Sequence, residues 1–264
     1  MVFMTETIEW MLTRGRCRDL QGSTLDALAQ FYAERDVKDQ AYLDLMVAAE
    51  EEIVDIPISI HAFTEDWNLS QFWFNDDTAR TLAEQLLEGA GPDTNIAVVS
   101  APSVFVAIKH LLADDDRYPY KPCVRLLEFD QRFAVFKADF IPYDFTQPEK
   151  LAPSLGASFD RIIVDPPFHS CDCMEQMAET ALWLSKSDDD DFRLMVCTGQ
   201  ALESSVISLF KEHGVETTTF LPQHTNGLQN KYRCFANSEC DAWDFQGPIL
   251  SGESVKRVDS GRAL

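Results

Sequence analysis

Arg161-Ile162-Ile163-Val164-Asp165-Pro166-Pro167-Phe168 is the stretch from which the rest of the chain is read. Residues 162–164 are three β-branched apolar side chains in a row, as in a strand buried on both faces. Pro166 and Pro167 end that strand sharply, because proline locks φ and lacks the N–H that a further ladder bond needs. In an open α/β sheet, ligands bind beyond the carboxyl ends of strands, so Asp165 to Phe168 are expected at a ligand crevice.

Outward from this strand the pattern alternates. Residues 96–99, 124–129 and 140–143 read as three earlier strands, and 194–197 as a fifth. Helical spacing covers 75–87, where Ala79, Leu82 and Leu86 share a face, and then 103–112, 173–184 and 202–213. Residues 217–221 and 232–235 can pair as an antiparallel hairpin. Continuous apolar strands separated by helices predict a mostly parallel α/β sheet with helices on both faces. Residues 1–60 are expected to be an extension with one helix near 23–36, residues 61–246 the main domain, and residues 247–264 a flexible tail.

Charge narrows the function. The 264 residues hold 44 acidic and 22 basic side chains, a formal charge of −22. Nucleic-acid affinity rests on Lys and Arg neutralising phosphates, and the densest basic stretch, Arg14 to Arg18, lies in the extension. No nucleic-acid partner is expected, and a basic protein partner fits better. Seven cysteines without a regular framework fit reduced thiols and a cytoplasmic setting. Cys171 and Cys173 lack the second pair of a zinc site, so no metal is expected. No run of 18 apolar residues exists, so no membrane segment is expected either.

The loop Asp165-Pro166-Pro167-Phe168 resembles the D/N-P-P-Y/F motif of amino-methyltransferases. The residue types suit that chemistry. A nitrogen attacking a sulfonium methyl needs its lone pair aimed in line, so positioning is most of the catalysis. Asp165 and a backbone carbonyl in the Pro166 turn can accept the amine's N–H groups, and the Phe168 ring can favour its developing positive charge. Asp165, Pro166 and Phe168 are the candidate catalytic residues, and Asp165 also adjoins the cofactor. At the first strand end Ser100-Ala101-Pro102-Ser103 stands where a glycine-rich turn is usual, and Ser100, Ala101 and Ser103 are candidate cofactor contacts. At the second strand end, Glu128 and Asp130 can each accept ribose hydroxyls. After the third strand, Asp144 can accept the adenine amino group. Ser70, Gln71, Phe72 and Trp73 are candidates for a lid over the methionine end of the cofactor, the alternative being a segment that caps the core. His224 and Asn230 are candidates for the substrate channel, or for ordinary loop hydrogen bonding.

Several stretches together resemble the eukaryotic elongation factor 1-alpha lysine methyltransferases, first classed as N6-adenine-methyltransferase-like proteins. They include residues 25–34, Trp67-Asn68-Leu69-Ser70-Gln71-Phe72-Trp73-Phe74, residues 99–104, 128–134 and 140–145, the Asp165 loop, Cys197-Thr198-Gly199, residues 222–225, and Asn230-Lys231-Tyr232-Arg233-Cys234-Phe235. The resemblance spans residues 23–245. It implies a Rossmann-like class I methyltransferase fold, S-adenosylmethionine as cofactor, and a lysine of elongation factor 1-alpha as the methyl acceptor. Asp165 is then expected to orient the amine while its proton goes to water. The chain departs from the family in residues 1–22, in the segment 37–60 and in its tail. Two other readings stand beside this one. The D-P-P-F motif also serves adenine-N6 methyltransferases of DNA or RNA, and the missing turn glycines would suit a catalytically inactive binding subunit.

Overall fold

Asn75 starts the first long helix. Its side-chain oxygen accepts the Thr78 N–H at 2.9 Å, and Asp76 and Asp77 fill the first turn, where the helix dipole favours acids. The computed structural model describes residues 40, 58–66, 71–114, 116–186, 191–227 and 231–246. The expected helix at 23–36, the tail 247–264, Ser70 and Asn230 lie outside them. The chain divides into two compact units, Met1–Thr64 and Glu65–Leu264. Of the first, a single 3₁₀ turn is described, Ile60–Ala62, whose cap Ser59 accepts the His61 N–H. The second unit holds the fold that follows.

Helix α1, Asp76–Leu87, buries Ala79, Leu82, Ala83, Leu86 and Leu87 on one face. Gly89 ends the segment at φ 67°, a left-handed conformation that glycine adopts without steric cost. The strands are β1 Asn95–Val99, β2 Cys123–Glu128, β3 Phe140–Pro142, β4 Arg161–Val164, β5 Arg193–Gly199, β6 Glu216–Thr217 and β7 Tyr232–Ala236. They form one seven-stranded sheet in the order β3-β2-β1-β4-β5-β7-β6. Strands β1 to β5 run parallel, and β7 runs antiparallel between β5 and β6. This is the Rossmann-like class I methyltransferase arrangement. The chain fills the β1-β2-β3 half first and then crosses to β4 on the other side of β1. The crevice between the ends of β1 and β4 is therefore the topological switch point where ligands bind.

Among the described residues of this unit the further α-helices are α2 Pro102–Asp114, α3 Cys171–Leu184 and α4 Glu203–Leu209. Ala97, Val99, Leu127, Ile162, Val164, Leu194 and Val196 share a core with Met174, Met177 and Ala181 of α3. Their neighbours Ile96, Val98, Leu126, Ile163 and Met195 are equally buried and, by the strand's period of two, face the other side. There α2 packs on β1 and β2, and α1 packs on α2. Helices thus cover both faces. No helix among the described residues is long and apolar enough to cross a membrane.

Three local expectations change. The helix expected at 202–213 is broken into Gln200–Leu202, α4 and Lys211–His213, because Phe210 leaves the helical basin at φ −106°, ψ 17° and is fully buried there. The hairpin forms between β6 and β7, but β6 is two residues long. Beyond it the chain turns away, with Thr218 bridging Phe245 and the Thr219 N–H bonding the Asp244 carbonyl. Residues Gln131–Asp139 form 3₁₀ turns, split at Lys137 (φ 53°), that the sequence pattern did not announce.

Two arginines serve the end of α1. Arg161 of β4 is buried and donates from Nη1 to the carbonyls of Leu86 at 2.8 Å and Glu88 at 2.6 Å. Arg193 of β5 donates to the Gln85 carbonyl at 2.9 Å and to the exposed Glu88 carboxylate at 3.1 Å. Helix ends leave carbonyls without internal partners, and these side chains supply them. Burial pulls the Arg161 pKa down to about 10, still cationic at neutral pH. Arg161→Met would strand two carbonyls, so urea unfolding should show a loss of about 2–4 kcal/mol. Arg193→Met, which loses one part-buried carbonyl and an exposed ion pair, should cost less, about 1 kcal/mol.

Candidate active site

Four loops meet at the carboxyl ends of β1, β2, β3 and β4. Between them lies a cavity of about 580 Å³. The β1 loop begins with Ser100 at φ 54°, a left-handed conformation that costs a non-glycine residue about 1–2 kcal/mol. Its N–H is held by the Leu127 carbonyl at 2.9 Å. Ser100 and Ser103 line the cavity, as does Pro102. Ala101 does not. It is fully buried, and its carbonyl accepts the first N–H groups of α2.

Glu128 lines the cavity from the end of β2. Its Oε1 accepts the N–H groups of Phe129 at 2.9 Å and Asp130 at 3.1 Å. Burial pushes its pKa up to about 7, outweighing those two bonds, and the Asp130 charge adds to the rise. Of the two acids expected at the ribose, Asp130 is not among the residues that line the cavity. Its carboxylate caps the turns at Gln131–Asp139 by accepting the Arg132 N–H at 2.9 Å. It also takes Arg132 Nη2 at 2.6 Å and Gln71 Nε2 at 2.9 Å. Burial alone would raise its pKa, but Arg132 and Gln71 together hold it below the ordinary value.

Gln71 lines the cavity with both ends of its amide engaged, since its Oε1 also accepts Arg132 Nη2 at 3.0 Å. Phe72 and Trp73 line it too, and Trp73 sets its edge against Phe133. Phe74 is instead a core residue, fully buried with its ring 4.8 Å from that of His224. The aromatic triplet is therefore wall and core at once. Asp144 faces the cavity after β3, its carboxylate held by the Thr146 hydroxyl at 2.7 Å and Gln147 Nε2 at 2.7 Å.

The β4 loop forms the floor. The Asp165 N–H continues the β1·β4 ladder onto the Val99 carbonyl at 3.0 Å. Asp165 Oδ1 accepts the Tyr232 hydroxyl at 2.9 Å. Burial holds the Asp165 pKa well above the carboxylate range, against the Tyr232 bond and with help from the Glu128 charge. Pro166 and Phe168 complete this side, with Phe168 44% exposed at the lip and its ring 5.9 Å from that of Phe145. His224 also lines the cavity, between Phe74 and Tyr232, and burial brings its pKa down to about 4.

The amino-acid sequence supports the same assignment. A profile described as "Probable N6-adenine methyltransferase" matches residues 65–240. The chain is 35% identical over 238 residues to Protein-lysine N-methyltransferase EFM5 of Saccharomyces cerevisiae, covering 86% of this chain and 94% of that one. It is 34% identical over 219 residues to the human EEF1A lysine methyltransferase 1, covering 83% and 91%. The chain belongs to the N6-adenine-methyltransferase-like family.

Among the cavity residues that the sequence did not single out are Tyr232 and His169. Tyr232 lies in the matched stretch 230–235 and His169 directly follows Phe168, so both were within sight of a motif. Their nearness to each other, His169 Nε2 at 3.2 Å from the Tyr232 hydroxyl, spans 63 residues of chain and only the fold reveals it. Cys171 and Cys173 part company in α3, one exposed beside Ser205 and the other in the core.

The Glu128 environment gives a stability prediction. An acid whose folded pKa is about 7 against an ordinary 4.5 prefers its proton in the folded state. Its ionisation therefore destabilises the protein progressively as pH rises from 4.5 to 7, by roughly 3 kcal/mol in full. Glu128→Gln keeps the acceptor for the two N–H groups and removes that charge. The variant should be more stable than the wild type by roughly 1–3 kcal/mol at pH 8, and equal to it near pH 4.5. Denaturant midpoints at the two pH values decide it, and an equal gap at both would sink the assignment.

Proposed function

We propose that the chain is an S-adenosylmethionine-dependent protein-lysine N-methyltransferase whose substrate is translation elongation factor 1-alpha. The observation that carries this reading is one cavity holding both Glu128, at the end of β2, and the Asp165-Pro166-Pro167-Phe168 loop, at the end of β4. The first suits a cofactor nucleoside and the second an amine.

The residues fit the cofactor. A carboxyl at the end of β2 can accept ribose hydroxyls, and Phe129 beside it is 55% exposed, an apolar ring at the cavity lip. Asp144 and Phe145 offer an acceptor and a ring for the adenine, and the Ser100 turn brings backbone close at the switch point. S-adenosylmethionine supplies a methyl group on a positive sulfonium, and the amine's lone pair forms the N–C bond as the S–C bond breaks. The chain's own residues have then to hold the amine, strip its proton and exclude water. Asp165 orients the amine, and Phe168 and His224 flank the lysine chain. Desolvation lowers the lysine pKa, which assists loss of its proton.

The substrate reading is supported by the activities for which the relatives are named and by charge. A formal charge of −22 favours a basic protein partner and repels phosphate. The family's description keeps adenine as the second reading. Both are tested by transfer of labelled methyl from S-adenosylmethionine to purified elongation factor 1-alpha, with an adenine-containing oligonucleotide in parallel. Label should appear on lysine of the protein. Asp165→Ala should lower kcat at least ~100-fold, the scale of a misplaced reacting group, with cofactor still bound in a calorimetric titration. Label on the oligonucleotide alone would overturn the substrate, and label on neither would leave this substrate reading without support.

A further inference from the structure

Asp165, Tyr232 and His169, all of which line the cavity, form a line from its floor to its exposed edge. Asp165 Oδ1 accepts the Tyr232 hydroxyl at 2.9 Å, and His169 Nε2 stands 3.2 Å from the same hydroxyl oxygen. Tyr232 is only 8% exposed, whereas His169 is exposed at the edge of the cavity. A Cβ at residue 199 would come within 3.3 Å of His169 Nδ1, so Gly199 leaves the imidazole its place. The Tyr232 hydrogen has two acceptors in reach, Oδ1 and Nε2, and can turn from one to the other.

We propose that Asp165, Tyr232 and His169 form a proton exit route, by which the proton lost from the acceptor lysine leaves the filled cavity for solvent. The proposal rests on the amine-methyltransferase reading given above. When cofactor and lysine occupy the cavity, water is displaced from the Asp165 carboxyl, and expulsion of the proton to water at that point is blocked. The arriving ammonium and sulfonium ionise Asp165, whose own proton leaves first along the same line; the carboxylate then takes a proton from the ammonium, leaving a neutral amine and a carboxylic acid. The acid's proton passes to the Tyr232 oxygen as the Tyr232 hydroxyl proton passes to His169 Nε2. His169, now an imidazolium, releases a proton to solvent from Nδ1, and exchange with solvent at the exposed ring then returns it to the Nδ1–H tautomer, so that the three groups regain their starting charge and Nε2 can accept again. Tyr232 and His169 act through Asp165 and are positioning residues.

The electrostatic surroundings agree. Facing the line are Glu128 from β2, Cys197 from β5 and His224 from the loop before β7. Burial disfavours the charged form of each member, raising Asp165 and Tyr232 and lowering His169. Tyr232 and His169, both favoured as neutral groups, hold no charge that would trap a proton midway. An arriving ammonium and sulfonium would favour ionised Asp165, which is the state that accepts.

Tyr232→Phe keeps the ring against Phe74 and His224 and removes the hydroxyl. It should lower kcat at pH 7.5 about 100-fold, the low end of general acid–base effects, with KM for the protein substrate unchanged. The loss should shrink about tenfold per pH unit as the lysine sheds its own proton. His169→Gln, at the exposed end and safe for folding, should show the same trend with a loss of about tenfold. A constant fraction of wild-type kcat at every pH from 7 to 9.5, or no loss in either variant, would overturn the route. A measurement without turnover separates this failure from failure of the enzyme reading. In ¹⁵N-histidine spectra of the free protein, Asp165→Asn should change the Nδ1/Nε2 proton distribution of His169, and the same substitution in Tyr232→Phe should not. If His169 ignores Asp165 in both backgrounds, the route is wrong even if the chain methylates lysine. If the coupling is present but no amine is methylated, the enzyme reading fails and the hydrogen-bonded line stands.

Discussion

The backbone hydrogen bond from the Asp165 N–H to the Val99 carbonyl, at 3.0 Å, fixes the site. It extends the parallel β1·β4 ladder one residue past the end of β4, just before Pro166 and Pro167 forbid further pairing. The acceptor loop is thereby clamped to the strand whose next residue is Ser100. On the other side of β1, the Ser100 N–H is held by the Leu127 carbonyl, and the Tyr143 N–H by that of Glu128. Three backbone bonds thus tie the ends of four parallel strands into one rim. The distance between a cofactor held at Ser100 and Glu128 and an amine held at Asp165 is set by the sheet, not by loop flexibility. In-line methyl transfer needs that fixed distance, since misplacement by about 1 Å can cost 100-fold in rate.

The strained residue in this rim makes sense on the same terms. Ser100 occupies a conformation that glycine would take freely, and it persists because both neighbours are committed, Val99 to the ladder and Ala101 to the start of α2. The serine brings a hydroxyl to the cavity where a glycine would offer none. The rim tolerates a cost of about 1–2 kcal/mol because the surrounding core over-determines its path.

The sheet was legible because parallel strands are buried on both faces and appear as unbroken apolar runs, such as Ile162 to Val164, with prolines or glycines at their ends. The site was legible where chemistry sits at a strand end, as with Glu128 and Asp165. Asp130 shows where that reasoning stops. It is two residues from Glu128 and of the same chemical type, but Arg132 and Gln71 claim its carboxylate and turn it from the cavity. Gln71 lies 59 residues away, so no local pattern announces this competition. The same holds for Phe74 and His224, which meet through an isolated bridge between distant segments. Tyr232 is decided by topology alone, since β7 inserts antiparallel between β5 and β6 and so brings its first residue to the end of β5, opposite Gly199.

The electrostatics of the molecule divide in two. The chain as a whole is strongly acidic, with a formal charge of −22, but the groups lining the floor are each pushed toward their neutral forms. These opposite tendencies suit a cationic substrate in different ways. Long-range negative potential draws a basic partner in and raises its encounter rate. A persistent negative charge at the floor would then hold lysine as its ammonium, the form that cannot attack. A floor of groups poised at neutrality withholds that stabilisation until two positive charges arrive together. Attraction at a distance and deprotonation on contact therefore call for opposite local fields. The fold supplies both, an acidic chain as a whole and, at the cavity floor, Asp165 backed by the buried Tyr232 where the end of β4 meets the antiparallel β7.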